Sequence, residues 1–369
     1  MRSVQMFVCV IALAALGGYA AAQEQGPLNG PGQPVAKPKK PADSGQPAET
    51  DQTPIPSQYK RSSPESGSVP TFKSDVDIVT LDVAVIAPNG QFIPGIPAGN
   101  FRVLEDNVPQ QVRKVDMAQA PLTVALVVEF SNHYQQLYSW TWYVTMEMMW
   151  TFANSLRPDD YCAVVAYDMH SEILTDFTTD KLKIQEALQR LQIPAWHEAN
   201  MFDAVTDTAE RMSAIEGRKA IILITTGVDT FSKLTFDQTR KKLQEAGVPI
   251  YPVSLLGMQQ EMMSSVPIGL LQANNELNTF ARETGGRAFY PKFQAEYRGV
   301  FSDIRQALGN QYVITYSPSN RAHDGTFRKI KVELVDPNGH PLPIKDQKGK
   351  PIKYAILTKS GYKAPHEVE

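Results

Sequence analysis

A doubly wound, mainly parallel α/β sheet with helices on both faces, inserted in a small antiparallel β-domain, is the fold class this sequence predicts. Three observations carry it. Leu122–Val128 is a continuous apolar run, as expected of a strand buried on both faces at the centre of a parallel sheet. Strand-like and helical patterns then alternate as far as Leu308. On either side of this stretch lie short strand-like segments that alternate at period two and carry matching turns, Ala87-Pro88-Asn89-Gly90 and Val335-Asp336-Pro337-Asn338-Gly339.

In chain order, the first flank supplies Val76–Ile86, Phe101–Asn107 and Gln111–Val115 as strands. After Leu122–Val128 the pattern predicts a helix over Leu137–Leu156, a strand at Tyr161–Tyr167 and a helix over Lys181–Leu191. A helix at Met201–Ile215, a strand at Lys219–Thr225, a helix at Phe236–Ala246 and a strand at Pro249–Leu255 follow. Helices at Leu270–Thr284 and Gln294–Leu308 close the alternation. The second flank returns to strands at Tyr312–Tyr316, Phe327–Val335 and Tyr354–Leu357. Two β-rich flanks around one insert predict a division into 71–118, 119–309 and 310–369, the outer two forming one β-domain.

The residues ahead of the fold read differently. Arg2, the apolar run Met6–Leu16 and the small residues Ala20-Ala21-Ala22 have the form of a Sec-type signal peptide over 1–22, cleaved near Ala22. The expected location is periplasmic or secreted, with no integral membrane segment after cleavage. Residues 23–70 hold ten of the 27 prolines and few large apolar side chains, so a proline-rich disordered tether is expected there. A net charge of −3 offers no bulk attraction to nucleic acid. Loss of the signal would leave Cys162 alone, in an apolar strand, where a buried small hydrophobe is expected rather than a redox or metal role.

Several segments carry a resemblance. Glu129-Phe130-Ser131-Asn132-His133 stands where von Willebrand factor type A domains carry D-x-S-x-S. Asn200-Met201-Phe202-Asp203-Ala204 resembles their T-x-L-Y-D-A segment, and Ile221–Asp229 their L-L-T-D-G-x-D segment. Phe101–Asp106, Thr284–Tyr290, Asp324–Ile330 and Gly361-Tyr362 resemble elements of the secreted bacterial VWFA-related (acidobacterial-type) family. The resemblance implies a metal-ion-dependent adhesion site at the carboxyl edge of the sheet, where Mg²⁺ or Mn²⁺ binds a ligand carboxylate. Carried over, the metal positions fall on Glu129, Ser131, His133, Ala199 and Thr226, and only Ser131 keeps the family's residue. The site is therefore expected to be degenerate and no cofactor is expected. Mg²⁺ and Zn²⁺ are the metals to weigh, Zn²⁺ through Glu129, His133 and His197.

With the metal set aside, the carboxyl-edge loops offer Tyr134, Trp140, Tyr143, Trp196 and His197 as a partner-binding surface for a protein. Tyr138, Trp142, Met146, Met149 and Ala153 follow helical spacing and are expected in the core. No glycine-rich phosphate cradle follows the first strand, and no G-x-S-x-G elbow occurs. Ser131 near His133, and Asp168 near His170, lack the arrangement of an activated nucleophile. The reading is an exported, non-catalytic binding or adhesion-type module. Its alternatives are a hydrolase or other enzyme on the α/β domain, or a scaffold whose β-domain is the working surface. Oligomeric state is not set by the sequence.

Overall fold

Leu122–Glu129 (β5) is buried at every position because it lies in the middle of a five-stranded sheet, bonded in parallel register to a strand on each side. This is a computed structural model; it describes residues 78–366, apart from 119, 132–142, 144–145, 148, 192–196, 263–264 and 346–348. The expected signal peptide and tether lie outside the described residues, as do Tyr138 and Trp142. So do the site candidates His133, Tyr134, Trp140 and Trp196.

Before β5 come β1 (Val79–Ile86), β2 (Phe101–Glu105), β3 (Val108–Gln110) and β4 (Val112–Met117). After it, helix α1 includes residues 143, 146–147 and 149–155 among those described. There follow β6 (Tyr161–Tyr167), β7 (Ser171–Thr178), α2 (Lys181–Gln189), α3 (Met201–Ser213), β8 (Arg218–Thr225), α4 (Phe236–Ala246) and β9 (Ile250–Ser254). α5 (Gly257–Met262), α6 (Ile268–Thr284) and α7 (Gln294–Gly309) precede the second flank. The central sheet has the order β7-β6-β5-β8-β9. All its pairings are parallel except β6–β7. A parallel bridge from Val253 to Phe289 extends it past β9.

Alternate residues of the buried strands serve opposite cores, as the pleat requires. Val124, Leu126, Val128, Val164 and Ile222 pack with α1, α2 and α7 through Phe152, Leu188, Tyr297 and Phe301. Ala125, Val127, Val165, Ile221 and Leu223 pack with α3, α4 and α6 through Phe202, Val205, Leu243 and Phe280. Cys162 is a free, fully buried thiol in the first of these cores, and burial pushes it up to about 12. Met149 and Ala153 are buried, and Met146 and Trp150 are partly buried against the same core.

β10 (Tyr312–Tyr316), β11 (Phe327–Leu334), β12 (Ile344–Lys345), β13 (Pro351–Ile352), β14 (Ala355–Leu357) and β15 (Gly361–Lys363) form the second flank. Its strands interleave with those of the first: one sheet has the order β14-β1-β10-β4, another β15-β11-β2-β3. The two enclose a shared core that includes Leu81, Val83, Val103, Ile314 and Val332. Segments quoted above from opposite ends of the sequence meet here. Arg328 and Glu105, both buried, approach to 3.6 Å, and Tyr316 and Tyr362 donate to Glu105 Oε2 at 2.6 and 3.1 Å.

Several elements escaped the sequence pattern: the short flank strands β3, β12, β13 and β15, and β7 and α5 in the α/β unit. β7 was not foreseen; its residues are mixed in polarity because it is an edge strand with one neighbour, exposed over its first half. Asp168 and His170 form the tight turn into it, with the His170 N–H donating to Asp168 Oδ1 at 2.9 Å. The short α5 was also missed; its six residues are too few to show a helical period.

Candidate functional site

Because β5, β6, β8 and β9 are parallel, Glu129, Tyr167, Thr225 and Ser254 end them at one edge. Open α/β sheets place their binding crevices outside this edge. Glu129 is completely buried there. Its Oε1 accepts from Ser131 Oγ at 2.8 Å, and its Oε2 accepts from the Thr226 N–H at 2.7 Å and Thr225 Oγ1 at 3.0 Å. Thr226 Oγ1 lies 3.0 and 2.9 Å from the two carboxylate oxygens. The donors are themselves supported. Thr225 Oγ1 accepts from Tyr167 OH at 2.9 Å and from the Gly227 N–H at 2.8 Å. Burial pushes the Glu129 carboxyl above the ordinary carboxylate range, and the bonds from Thr226, Ser131 and Thr225 pull it back only in part.

This geometry does not suit a hard divalent cation, which needs several oxygen ligands with carboxylates among them. The one carboxylate among the carried-over positions, Glu129, is buried and engaged by four donors. Ala199 offers only backbone: its N–H donates to Thr230 Oγ1 at 2.9 Å, and its carbonyl accepts from Thr230 and Phe231 at 2.9 and 3.0 Å. Thr226, 1% exposed, is turned to Glu129. Among the described residues there is no group of three or more His, Cys, Asp or Glu that could hold a metal. The Zn²⁺ set includes His133, outside the described residues.

His197 is exposed on the loop that enters α3, and Glu198 beside it is half-buried. The loop is tied to the end of β6, with Asn200 donating through its N–H to the Asp168 carbonyl at 2.7 Å and through Nδ2 to that of Met169 at 3.1 Å. A second clamp joins α3 to the loop after β8. Asp229 accepts from the Phe202 N–H at 3.1 Å and from Ser232 Oγ at 2.5 Å, while Asp203 accepts from the N–H groups of Lys233 and Leu234. Burial pushes the Asp229 carboxyl up, and these bonds oppose it. The loops are thus tied to one another by side-chain and backbone hydrogen bonds.

The edge also presents large apolar side chains outward. Tyr143 is 76% exposed, on the helix that follows β5. Phe231, on the loop after β8, and Ile268, Leu271 and Phe293, on segments after β9, are also large exposed hydrophobics. Sequence reasoning named Tyr143 but missed the other four. Phe231 carried a usable signal, since it stands among Asp, Thr and Ser residues in a loop that no core pattern claims. Thr225 and Tyr167 were missed as cradle members because both read as ordinary strand residues.

The strand order and the helices packed on both faces make the described α/β unit a doubly wound, mainly parallel sheet. No protein-family model matches the chain, and no curated protein sequence matches it. Among solved structures it is similar to the von Willebrand factor type A protein of Catenulispora acidiphila, at 12% identity over 79% of this chain and 75% of that one, TM-score 0.40. The vWF domain of the type V pili tip protein Mfa5 of Porphyromonas gingivalis matches at 14% identity over 52% of this chain and 96% of that one, TM-score 0.41. Proximal thread matrix protein 1 of the mussel byssus matches at 13% identity over 52% of this chain, TM-score 0.40. The match spans about half the length of the mussel protein, 49%. Among the described residues, no helix is long and apolar enough to cross a membrane.

Proposed function

We propose that the chain is an exported, non-catalytic binding module that engages a protein partner through the loops at the carboxyl edge of its sheet, without a bound metal. The observation that carries this reading is the edge itself. The seat corresponding to the family's metal site is filled by the hydrogen-bonded Glu129, and large apolar side chains are left outside it. Exposed apolar groups on anchored loops favour a protein surface over a small polar substrate. The same reading takes 1–22 as signal peptide, 23–70 as tether, and 71–118 with 310–369 as one β-domain holding the 119–309 insert.

The deciding experiment is a pulldown from exported and envelope fractions, with and without a chelator. A specific partner retained in chelator, and lost on combining Tyr143→Ala with Phe231→Ala, is the expected result. Capture that requires a divalent cation would overturn the metal-free part of the reading. Stoichiometric zinc in purified protein would do the same and point to Glu129, His133 and His197. Capture unaffected by the edge substitutions but lost on altering β11 or β15 would favour the scaffold alternative.

A further inference from the structure

The opposite edge of the sheet holds a second charged site, built from segments distant in sequence. Residues Ala118 and Gln311, where the α/β unit begins and ends, are bonded N–H to carbonyl at 2.8 Å. Beside them opens a cavity of about 640 Å³, lined by Asp82 of β1, Arg218 and Lys219 at the start of β8, and Lys359 between β14 and β15.

Arg218 is the telling residue. It is 4% exposed, yet only its Nη1 is bonded, to the Ala120 carbonyl at 2.9 Å. Its Nε and Nη2 are buried without a hydrogen-bond partner. A buried guanidinium with unused donors carries a desolvation cost, which the charges of Asp82 and Asp160 offset only in part. Lys219 Nζ reaches the carbonyls of Ser213 and Ile215 at 2.8 and 2.7 Å, neither of which carries a charge. Asp116 and Glu245 also line the cavity, but they pair with Lys114 at 2.8 Å and Lys363 at 3.4 Å. Among the described lining residues, Arg218, Lys219 and Lys359 face one carboxylate without an ion pair of its own, Asp82, while Asp160 and Glu216 act on Arg218 and Lys219 from outside the lining. Burial pushes the Lys359 amine down, Lys219 down to about 8, and Asp82 up, the charges facing one another across the cavity opposing each shift only in part. The Tyr251 hydroxyl, fully buried and also without a partner, feels the charges of both Asp82 and Arg218.

An arginine fork with free Nε and Nη2 matches two oxygens of one oxyanion, and flanking ammonium groups complete its charge. We propose that this cavity binds a dianionic oxyanion group, a phosphate or a group of like charge and shape, gripped by Arg218 with Lys219 and Lys359 beside it. The site is independent of the carboxyl-edge reading and holds whether or not that reading does.

The test is calorimetric titration of the purified full-length protein, at matched ionic strength, with inorganic phosphate, glycerol 3-phosphate, succinate and chloride. Phosphate or its ester binds where chloride does not. Arg218→Met weakens that binding by about tenfold or more, and Lys359→Met by about threefold. Arg190→Met, which removes an exposed pair with Glu172 elsewhere, leaves it unchanged. Tighter binding of the ester than of free phosphate assigns the cavity to a phosphorylated ligand, the reverse order to the free ion, and succinate above both to a dicarboxylate. The proposal is overturned if all three dianions bind no better than chloride, or if binding persists undiminished in both Lys359→Met and Arg218→Met.

Discussion

The two edges of one sheet bury opposite charges and treat them in opposite ways. At the carboxyl edge, Glu129 is enclosed by hydroxyl and amide donors that are themselves hydrogen-bonded. At the amino edge, Arg218 is nearly as buried but keeps Nε and Nη2 without acceptors, beside two lysines. A buried charge surrounded by partners is a closed structural element, whereas one that keeps unused donors beside a cavity is the basis of the ligand site proposed above. Degree of burial alone would not separate them; the hydrogen-bond inventory does.

The comparison is broken most directly by removing its closed member. Glu129→Ala leaves the buried Thr226 N–H and three hydroxyls without their acceptor, and a loss of about 3–4 kcal/mol is expected in urea unfolding. A loss below about 1 kcal/mol would show that the cradle is not what fixes the edge.

Next in size is the seam that shapes the amino-edge cavity. Gly285 caps α6 at φ 91°, and a Cβ there would fall 2.6 Å from Lys359 N and from the Thr358 carbonyl carbon. Gly285→Ala is expected to cost about 2–3 kcal/mol by thermal unfolding, through left-handed strain and displacement of the 358–359 backbone. A neutral result would mean that this backbone yields freely and that the cavity wall is soft.

Smaller, and opposite in sign, is the effect at the open member. Arg218→Met in ligand-free buffer removes a buried charge that is compensated only in part and is expected to raise stability by about 1 kcal/mol. Destabilisation by a similar amount would instead mark Arg218 as a structural tie through Ala120.

A separate effect concerns pH, and it distinguishes the edges by direction. Lys219 titrates near 8 in the fold against 10.5 when free. The folded chain therefore releases this proton first, and stability rises as pH climbs from about 8 towards 10.5. Lys219→Met removes the rise. Glu129 is raised above 4.5 in the fold, so its contribution is present at acid pH and is lost as pH climbs from 4.5 through the folded value. Glu129→Gln flattens that limb, which unfolding midpoints measured across pH would resolve.

Much of the central sheet could be read directly because its strands are buried on both faces. Leu122–Val128 and Lys219–Thr225 show that burial as unbroken apolar runs. β7 could not be read in this way, since an edge strand meets water along part of its length and shows no clean alternation. At the carboxyl edge, the departures at Glu129, Ala199 and Thr226 were visible residue by residue. That Glu129 turns into the sheet and is bonded by Thr225 and Thr226 was not, because those contacts span about 96 positions. Arg218-Lys219 gave a faint local signal, a basic pair opening an apolar strand, while Asp82 and Lys359 carried none.

By itself the sequence determined the alternation of strand and helix and the two β-rich flanks, because local period and residue chemistry express these directly. Tertiary structure alone decided which charges are answered. Glu129 meets its donors and Arg218 lacks its acceptors through strand register and the packing of the flanks, and neither is encoded in any short stretch of chain.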